Sequence, residues 1–409
     1  MTLRLILATI LVLAVTGCDM NSPPDADTGP GVDLMTKANT LVQQSIIVDT
    51  HVDVPYRLEE KWDDVSRATE GGDFDYPRAV AGGLNAPFMS IYTPASLEAD
   101  GGSKAAAEKL IDMVYGIVES APDKFAVALA ADDVEDQFLE GLISLPMGME
   151  NGSPIEGDLD NLRHFYDRGI RYITLAHSLS NHISDSSYDD NKQWDGLSEF
   201  GAAVVVEMNR LGIMVDISHV SDAAFEDVMQ ITTAPVIASH SSSRYFTPGF
   251  ERNMSDDMVS KLAANGGVIM VNFGSSFITE KAQKFSEARS DAYTDYVEKN
   301  ELEKTDELHE KFNTEYDEAN GGFPFADLDD VLDQFDHLVQ IAGIDHVGIG
   351  SDFDGVGDSL PNGLKDVASY PNLVHGLLQR GFSDDDINKI LGANLLRVWR
   401  EVESVATRH

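Results

Sequence analysis

Ile46-Ile47-Val48-Asp49-Thr50-His51-Val52-Asp53 is a short apolar run that ends in an imidazole and a carboxylate. Its length and β-branched residues predict a strand, with the polar pair at the strand's outlet. The same grammar returns in Gly148-Met149-Glu150, Thr174-Leu175-Ala176-His177, Val215-Asp216-Ile217-Ser218-His219 and Ile237-Ala238-Ser239-His240. Hydrophobic strands that terminate in metal-ligand side chains are how a barrel enzyme builds a metal site from pieces distant in sequence.

Outward from that stretch, strands are expected near residues 46–50, 86–92, 143–149, 171–176, 214–218, 236–239, 268–272 and 347–351. Eight is the number that a closed parallel barrel needs. Amphipathic helices fall between them: Phe200, Val204, Met208 and Leu211 repeat at helical spacing. Ser255-Asp256-Asp257 and Ser383-Asp384-Asp385-Asp386 each set a hydroxyl cap and acidic first-turn residues before an apolar stripe. A further helix is expected over Lys104 to Ser120. Strand and helix in alternation predict an α/β fold, a TIM-like (β/α)8 barrel. Phe277 to Gly322 is charged and nearly free of strand signals, and reads as a helical insertion between strands 7 and 8.

With 409 residues, 43% of them hydrophobic, the chain can bury one large core, assigned to residues 34–409. The net charge of −41 excludes the basic footprint of a nucleic-acid binder. Such a surface keeps a protein soluble, either as an adaptation to salt or as lineage composition.

Residues 1–17 read as a processing signal, with Arg4 ahead of an apolar stretch from Leu5 to Val15 that is too short to span a bilayer. Val15-Thr16-Gly17-Cys18 resembles the lipobox of bacterial lipoproteins, which implies a lipidated Cys18. Cys18 is the only cysteine, so no disulfide forms within the monomer. Residues 18–33, rich in Pro, Gly, Asp and Ser, read as a flexible tether that leaves the folded domain facing the periplasm. Asp19 resembles an inner-membrane retention signal, and inner and outer membrane both stay open.

His51 and Asp53, two apart in an extended backbone, can grip one cation. The carboxylate of Glu150 can bridge two divalent ions, which one imidazole nitrogen cannot do, and the flanking Gly148 leaves room for close approach. His219 and His240, at the ends of successive strands, can hold a second ion opposite the first pair. His177 can donate a hydrogen bond to a developing oxyanion or serve as a further ligand. Asp352, in Gly350-Ser351-Asp352-Phe353-Asp354-Gly355, is suited to carry a proton from nucleophilic water to a leaving amine, whereas Asp354 reads as structural. Arg244 and Arg252 are both candidate clamps for a substrate carboxylate.

These segments, together with Arg252-Asn253 and Gly392-Ala393-Asn394-Leu395-Leu396-Arg397-Val398, resemble in order the membrane (renal) dipeptidase family of zinc peptidases, over roughly Ile46 to Val398. The resemblance implies two zinc ions, one held by His51, Asp53 and Glu150, the other by Glu150, His219 and His240. It further implies His177, Arg252 and Asn253 as substrate-binding residues and Asp352 as the catalytic aspartate. The implied reaction is hydrolysis of dipeptides, including those with a C-terminal D-residue, by a hydroxide between the ions. Homodimers are common in the family. Gly274 departs from relatives that carry a tyrosine near the substrate, which puts the carboxylate pocket and substrate preference in question. Two alternatives stand beside this reading: a metal-dependent amidohydrolase acting on N-acyl amino acids or lactams, and a non-catalytic peptide-binding lipoprotein.

Overall fold

Eight short parallel strands carry the fold, each from one of the apolar runs predicted to form it. They are β1 (Ile47–Val52), β2 (Leu84–Tyr92), β3 (Met147–Glu150), β4 (Ile170–Thr174), β5 (Met214–Asp216), β6 (Ile237–Ala238), β7 (Val268–Val271) and β8 (Val347–Ile349). In this computed structural model, which describes residues 33–406, neighbours in the barrel are neighbours in sequence, and β8 closes onto β1 at Asp49 and Ile349. The predicted (β/α)8 barrel is therefore present. The expected signal segment, Cys18 and the tether through residue 32 lie outside the described residues. No helix among the described residues is long and apolar enough to cross a membrane.

One expected strand divides. Ile143–Ser144 pairs with Phe125–Ala126 in a separate two-stranded sheet, and the barrel strand begins only at Met147. Pro146 lies at the break, where its missing N–H cannot serve a ladder.

Successive side chains alternate between lumen and outer layer, as the pleat requires. Val48, Phe88, Tyr172, Met214, Val268 and Met270 share one buried cluster, which Leu395 and Trp399 of the last helix (Asn394–Ala406) join. The Trp399 and Phe88 rings stand 5.3 Å apart and help close one end of the lumen. Ile47, Met149, Ile173, Val215, Ile269 and Val271 belong to the outer core beneath the helices.

β1 breaks the alternation. Val48 belongs to the lumen cluster and Val52, of the same parity, to the outer one, because the register slips between Asp49 and Val52. An irregularity of this kind re-aims side chains, and it brings His51 to the mouth of the barrel. The two-apart argument for His51 and Asp53 is thereby corrected: Asp53 has left the strand and stands at the N-cap of the helix Val54–Glu60.

The predicted helix starts hold. Ser255 accepts from the Met258 amide, and Ser383 forms a capping box with Asp386. Each such cap stabilises by about 1 kcal/mol. Between β7 and β8 the insertion forms two long helices, Glu280–Asn300 and Asp306–Ala319, before the helix Leu328–Ala342 returns the chain to the barrel.

Candidate metal centre

Glu150 ends β3, is 5% exposed, and turns its two carboxylate oxygens to different neighbours. Oε2 stands 3.4 Å from His51 Nε2, which is itself 3.4 Å from Asp53 Oδ2. Oε1 stands 3.2 Å from His219 Nε2 and 3.3 Å from both His240 Nε2 and His177 Nε2. Donors at metal-bond length from one tetrahedral ion lie about 3.4 Å apart, so these spacings suit ligands that share a cation. Three overlapping donor groups result: His51, Glu150 and His240; Glu150, His177 and His219; and His51, Asp53 and Asp352.

The chemistry of the donor set fits a metal independently of spacing. Asp53, Glu150 and Asp352 are all buried, and among the described residues none of them pairs with a lysine or arginine. Buried carboxylates this close need a cation. His51 Nε2 is buried without a hydrogen-bond partner and faces two of them.

Elements around the centre fix the imidazoles. Tyr172 donates its O–H to the Thr50 carbonyl at 2.9 Å and so accepts from His51 Nδ1, also at 2.9 Å. Ser239 donates to Asp216 Oδ2 at 2.6 Å and accepts from His240 Nδ1 at 2.7 Å. Both arrangements place the ring proton on Nδ1 and free Nε2 for a cation. Gly148 is needed for the first of them, since a Cβ there would lie 1.9 Å from the Tyr172 ring. The room left by Gly148 thus serves the tyrosine, not the metal directly. Asp49 and Asp216, buried strand carboxylates, tie neighbouring loops: Asp49 accepts from the Ser351 and His51 amides, Asp216 from the Ser218 and Ser239 amides. Sequence reading passed over Tyr172, Asp216 and Ser239; a polar tip at a lumen-facing position of an apolar strand was the available signal.

The protein's own groups set the charges. Burial disfavours the His51 imidazolium, but Tyr172, Glu150 and Asp53 outweigh it and hold that pKa well above the usual value. Burial pushes His219 and His240 well below theirs, aided by Arg252 and neighbouring imidazoles. Glu150 resists burial because His51 and His177 favour its ionised form, which keeps its pKa well below normal. Burial lifts Asp352 to about 7; His51 opposes, while Asp53 and Glu150 add to the rise. Asn272 donates to Asp352 Oδ2 at 2.7 Å. Strain gathers here too: Asn151, His219, Asp352 and Asp354 have positive φ without being glycines. Gly355 permits this crowding, since a Cβ would lie 2.2 Å from Asp53 and 2.3 Å from Asp352.

Two expected substrate contacts are placed elsewhere. Arg244 is bound bidentately to Asp222 at 2.7 and 2.6 Å and is no clamp. Asn253 is fully buried; it donates to Thr247 Oγ1 and the Phe277 carbonyl and accepts from the Ser242 amide, so its capacity is spent on joining loops. Arg252 lies close behind the centre, donating to Ser241 Oγ and the His240 carbonyl at 2.8 Å each. Asp354, as expected, is structural: it pairs with Arg57 at 3.0 Å and accepts from the Asp73 amide.

A cavity of about 840 Å³ opens over the centre. Glu150, His177, His219 and Asp352 lie in its lining, as do Tyr92 and Tyr188. Ser286, Arg289, His309 and Glu310 give it a wall from the insertion, a contribution that sequence reading did not assign. Tyr188 is 43% exposed in this lining. Gly274 is closely packed against Phe277 and Val356, so a larger side chain at that position would require Phe277 to move.

Residues 35–409 match the sequence profile of the membrane dipeptidase family, peptidase family M19. The chain belongs to the membrane dipeptidase family. As a member, this dipeptidase is a metal-dependent hydrolase of peptide bonds. Solved relatives agree. The probable dipeptidase PvdM from Pseudomonas aeruginosa is 27% identical, with a TM-score of 0.79 over 91% of this chain and 99% of that one. A metallopeptidase from Rhodobacter sphaeroides, solved with a phosphinate mimic of the dipeptide L-Ala-D-Ala, is 25% identical, with a TM-score of 0.71 over 88% and 99%. A further metallopeptidase, dipeptidase AC, is 26% identical, with a TM-score of 0.72 over 88% and 98%.

The outer hydrogen bonds of the dipeptidase carry a prediction. Tyr172→Phe keeps the ring but leaves the His51 Nδ1–H and the Thr50 carbonyl unpaired. Metal affinity is expected to fall about 10- to 100-fold. Competition of the variant against a chromophoric chelator would show it; unchanged affinity would mean that Tyr172 only fills space.

Proposed function

We propose that this dipeptidase is a dizinc enzyme that hydrolyses dipeptides, including those with a C-terminal D-residue. The observation that carries this reading is the division of Glu150, one oxygen toward His51 and the other toward His219 and His240. His51, Asp53 and Glu150 would hold one ion, and Glu150, His219 and His240 the other. When bound, such ions bring the pKa of water from about 15.7 toward 7 and polarise a carbonyl. His177, on the cavity side of Glu150, donates from its imidazole to the carbonyl oxygen as negative charge develops there. Asp352, whose pKa burial raises to about 7 and which Asn272 orients, takes the proton of the attacking water and gives it to the departing amine. Arg252, buried behind Ser241 and His240, contributes positive charge toward the substrate carboxylate. The L-Ala-D-Ala mimic bound by the Rhodobacter sphaeroides relative supports acceptance of a D-residue. The sequence around Cys18 supports a lipid anchor in the cell envelope, with the enzyme facing the periplasm.

The test combines metal analysis with a panel of L-L and L-D dipeptides and their N-acetylated forms. About two zinc ions per chain and turnover of free dipeptides are expected, with chelation abolishing activity and zinc restoring it. Preference for the N-acetylated compounds would favour the amidohydrolase reading instead.

A further inference from the structure

The loop from His177 to Ser198, which follows β4, is tied to the centre at several points. Ser187 donates its amide to the His219 carbonyl at 2.7 Å, and the Ser186 hydroxyl donates to the His177 carbonyl. The Tyr188 amide in turn donates to Ser186 Oγ at 3.1 Å. Within the loop, Asp185 accepts from the amides of Gln193, Trp194 and Gly196, and Asp189 from those of Ser180 and Asn191. Tyr188 is thus presented from backbone held on both sides, anchored to two histidines of the centre.

Its side chain enters the cavity. The ring centroid stands 5.9 Å from that of His219 and 6.0 Å from that of Phe250. Phe250 lies 5.9 Å from Phe277, and the Arg252 guanidinium lies 5.3 Å from Phe277. Tyr188, Phe250 and Phe277 therefore form a continuous aromatic wall that runs to Arg252. The structure shows no hydrogen bond from the hydroxyl of the partly exposed Tyr188 to any described residue, and His219 Nδ1 and Arg252 Nε nearby are buried without partners. Arg252 is 3% exposed and already directs two N–H groups at Ser241 and His240. Its Nε is buried without a partner and is left to meet a carboxylate, but with both Nη groups spent the grip is not a full bidentate one, which gives a second donor beside it a role.

We propose that Tyr188 is a substrate-contacting residue whose phenol donates a hydrogen bond to the C-terminal carboxylate of the bound dipeptide, within the field of Arg252. The inference rests on the dipeptidase reading and adds to it a specificity residue on the β4 loop. Rigid loop anchoring makes the contact inexpensive in entropy.

Tyr188→Phe removes only the O–H. The experiment compares this variant with the unaltered zinc-loaded enzyme on a dipeptide and on the same dipeptide with a C-terminal carboxamide. For the free acid, KM is expected to rise about tenfold or more, as for a lost hydrogen bond to a charged group, with the loss in KM rather than in kcat. For the carboxamide the two enzymes should show similar KM, and zinc content should match. Equal KM on the free acid would overturn the proposal, as would an equal loss on acid and amide, which would mark a packing role. Failure of the unaltered enzyme to cleave any dipeptide would instead overturn the functional reading, and this inference with it.

Discussion

Glu150→Gln should empty the centre and abolish turnover. The amide keeps the size of the side chain but replaces one acceptor oxygen with a donor and removes the charge that Oε1 and Oε2 present to four imidazoles. Among the described residues no other carboxylate pairs with both His51 and the His219–His240 side, so loss at this position reaches both. Activity should fall by more than about 100-fold, the upper range for losses outside the ligand sphere. Metal analysis after dialysis should find the proposed two equivalents reduced to one or fewer. Near-normal metal content with near-normal turnover would remove Glu150 from the bridge.

The second large effect separates chemistry from metal binding. Asp352→Asn keeps the hydrogen-bonding shape beside Asn272 but cannot carry the proton that the leaving amine needs. Loss of a positioned general acid costs about 10²- to 10⁴-fold in rate. The loss should fall on kcat, with KM and zinc content close to those of the parent. Because Asp352 also lies within reach of His51 and Asp53, metal content has to be measured on the same preparation. If zinc is lost together with activity, Asp352 acts as a ligand rather than as the proton donor.

The barrel was legible because each strand ends in a chemical marker as well as an apolar run. His51, Glu150, His177, His219, His240 and Asp352 come from six different strand ends, and the structure brings all six to one mouth. Less legible was whatever depends on exact backbone path. The slip in β1 that separates Val48 from Val52 leaves no trace in hydrophobic pattern, and Pro146 marked a break that the surrounding apolar residues concealed. Asn253 looked like a substrate contact from its place beside Arg252. Only the three-dimensional path shows its amide spent on Thr247, Phe277 and Ser242. Tyr188 lay in a polar loop with no periodicity to single it out, and the contacts that aim it come from Ser186 and Ser187, its immediate neighbours.

The seam between β1 and β8 bears on how the chain matures. The Ser351 amide donates to Asp49 Oδ1 across 302 positions of sequence, and Tyr370 adds its hydroxyl to the same carboxylate from still further along. Until that late stretch arrives, β1 has an open edge, and so long-range a closure is slow compared with local pairing. A nascent chain therefore holds His51 and Asp53 early but cannot set them against Asp352 until nearly all of it has been synthesised. Until then the free edge of β1 is a surface on which another strand can pair.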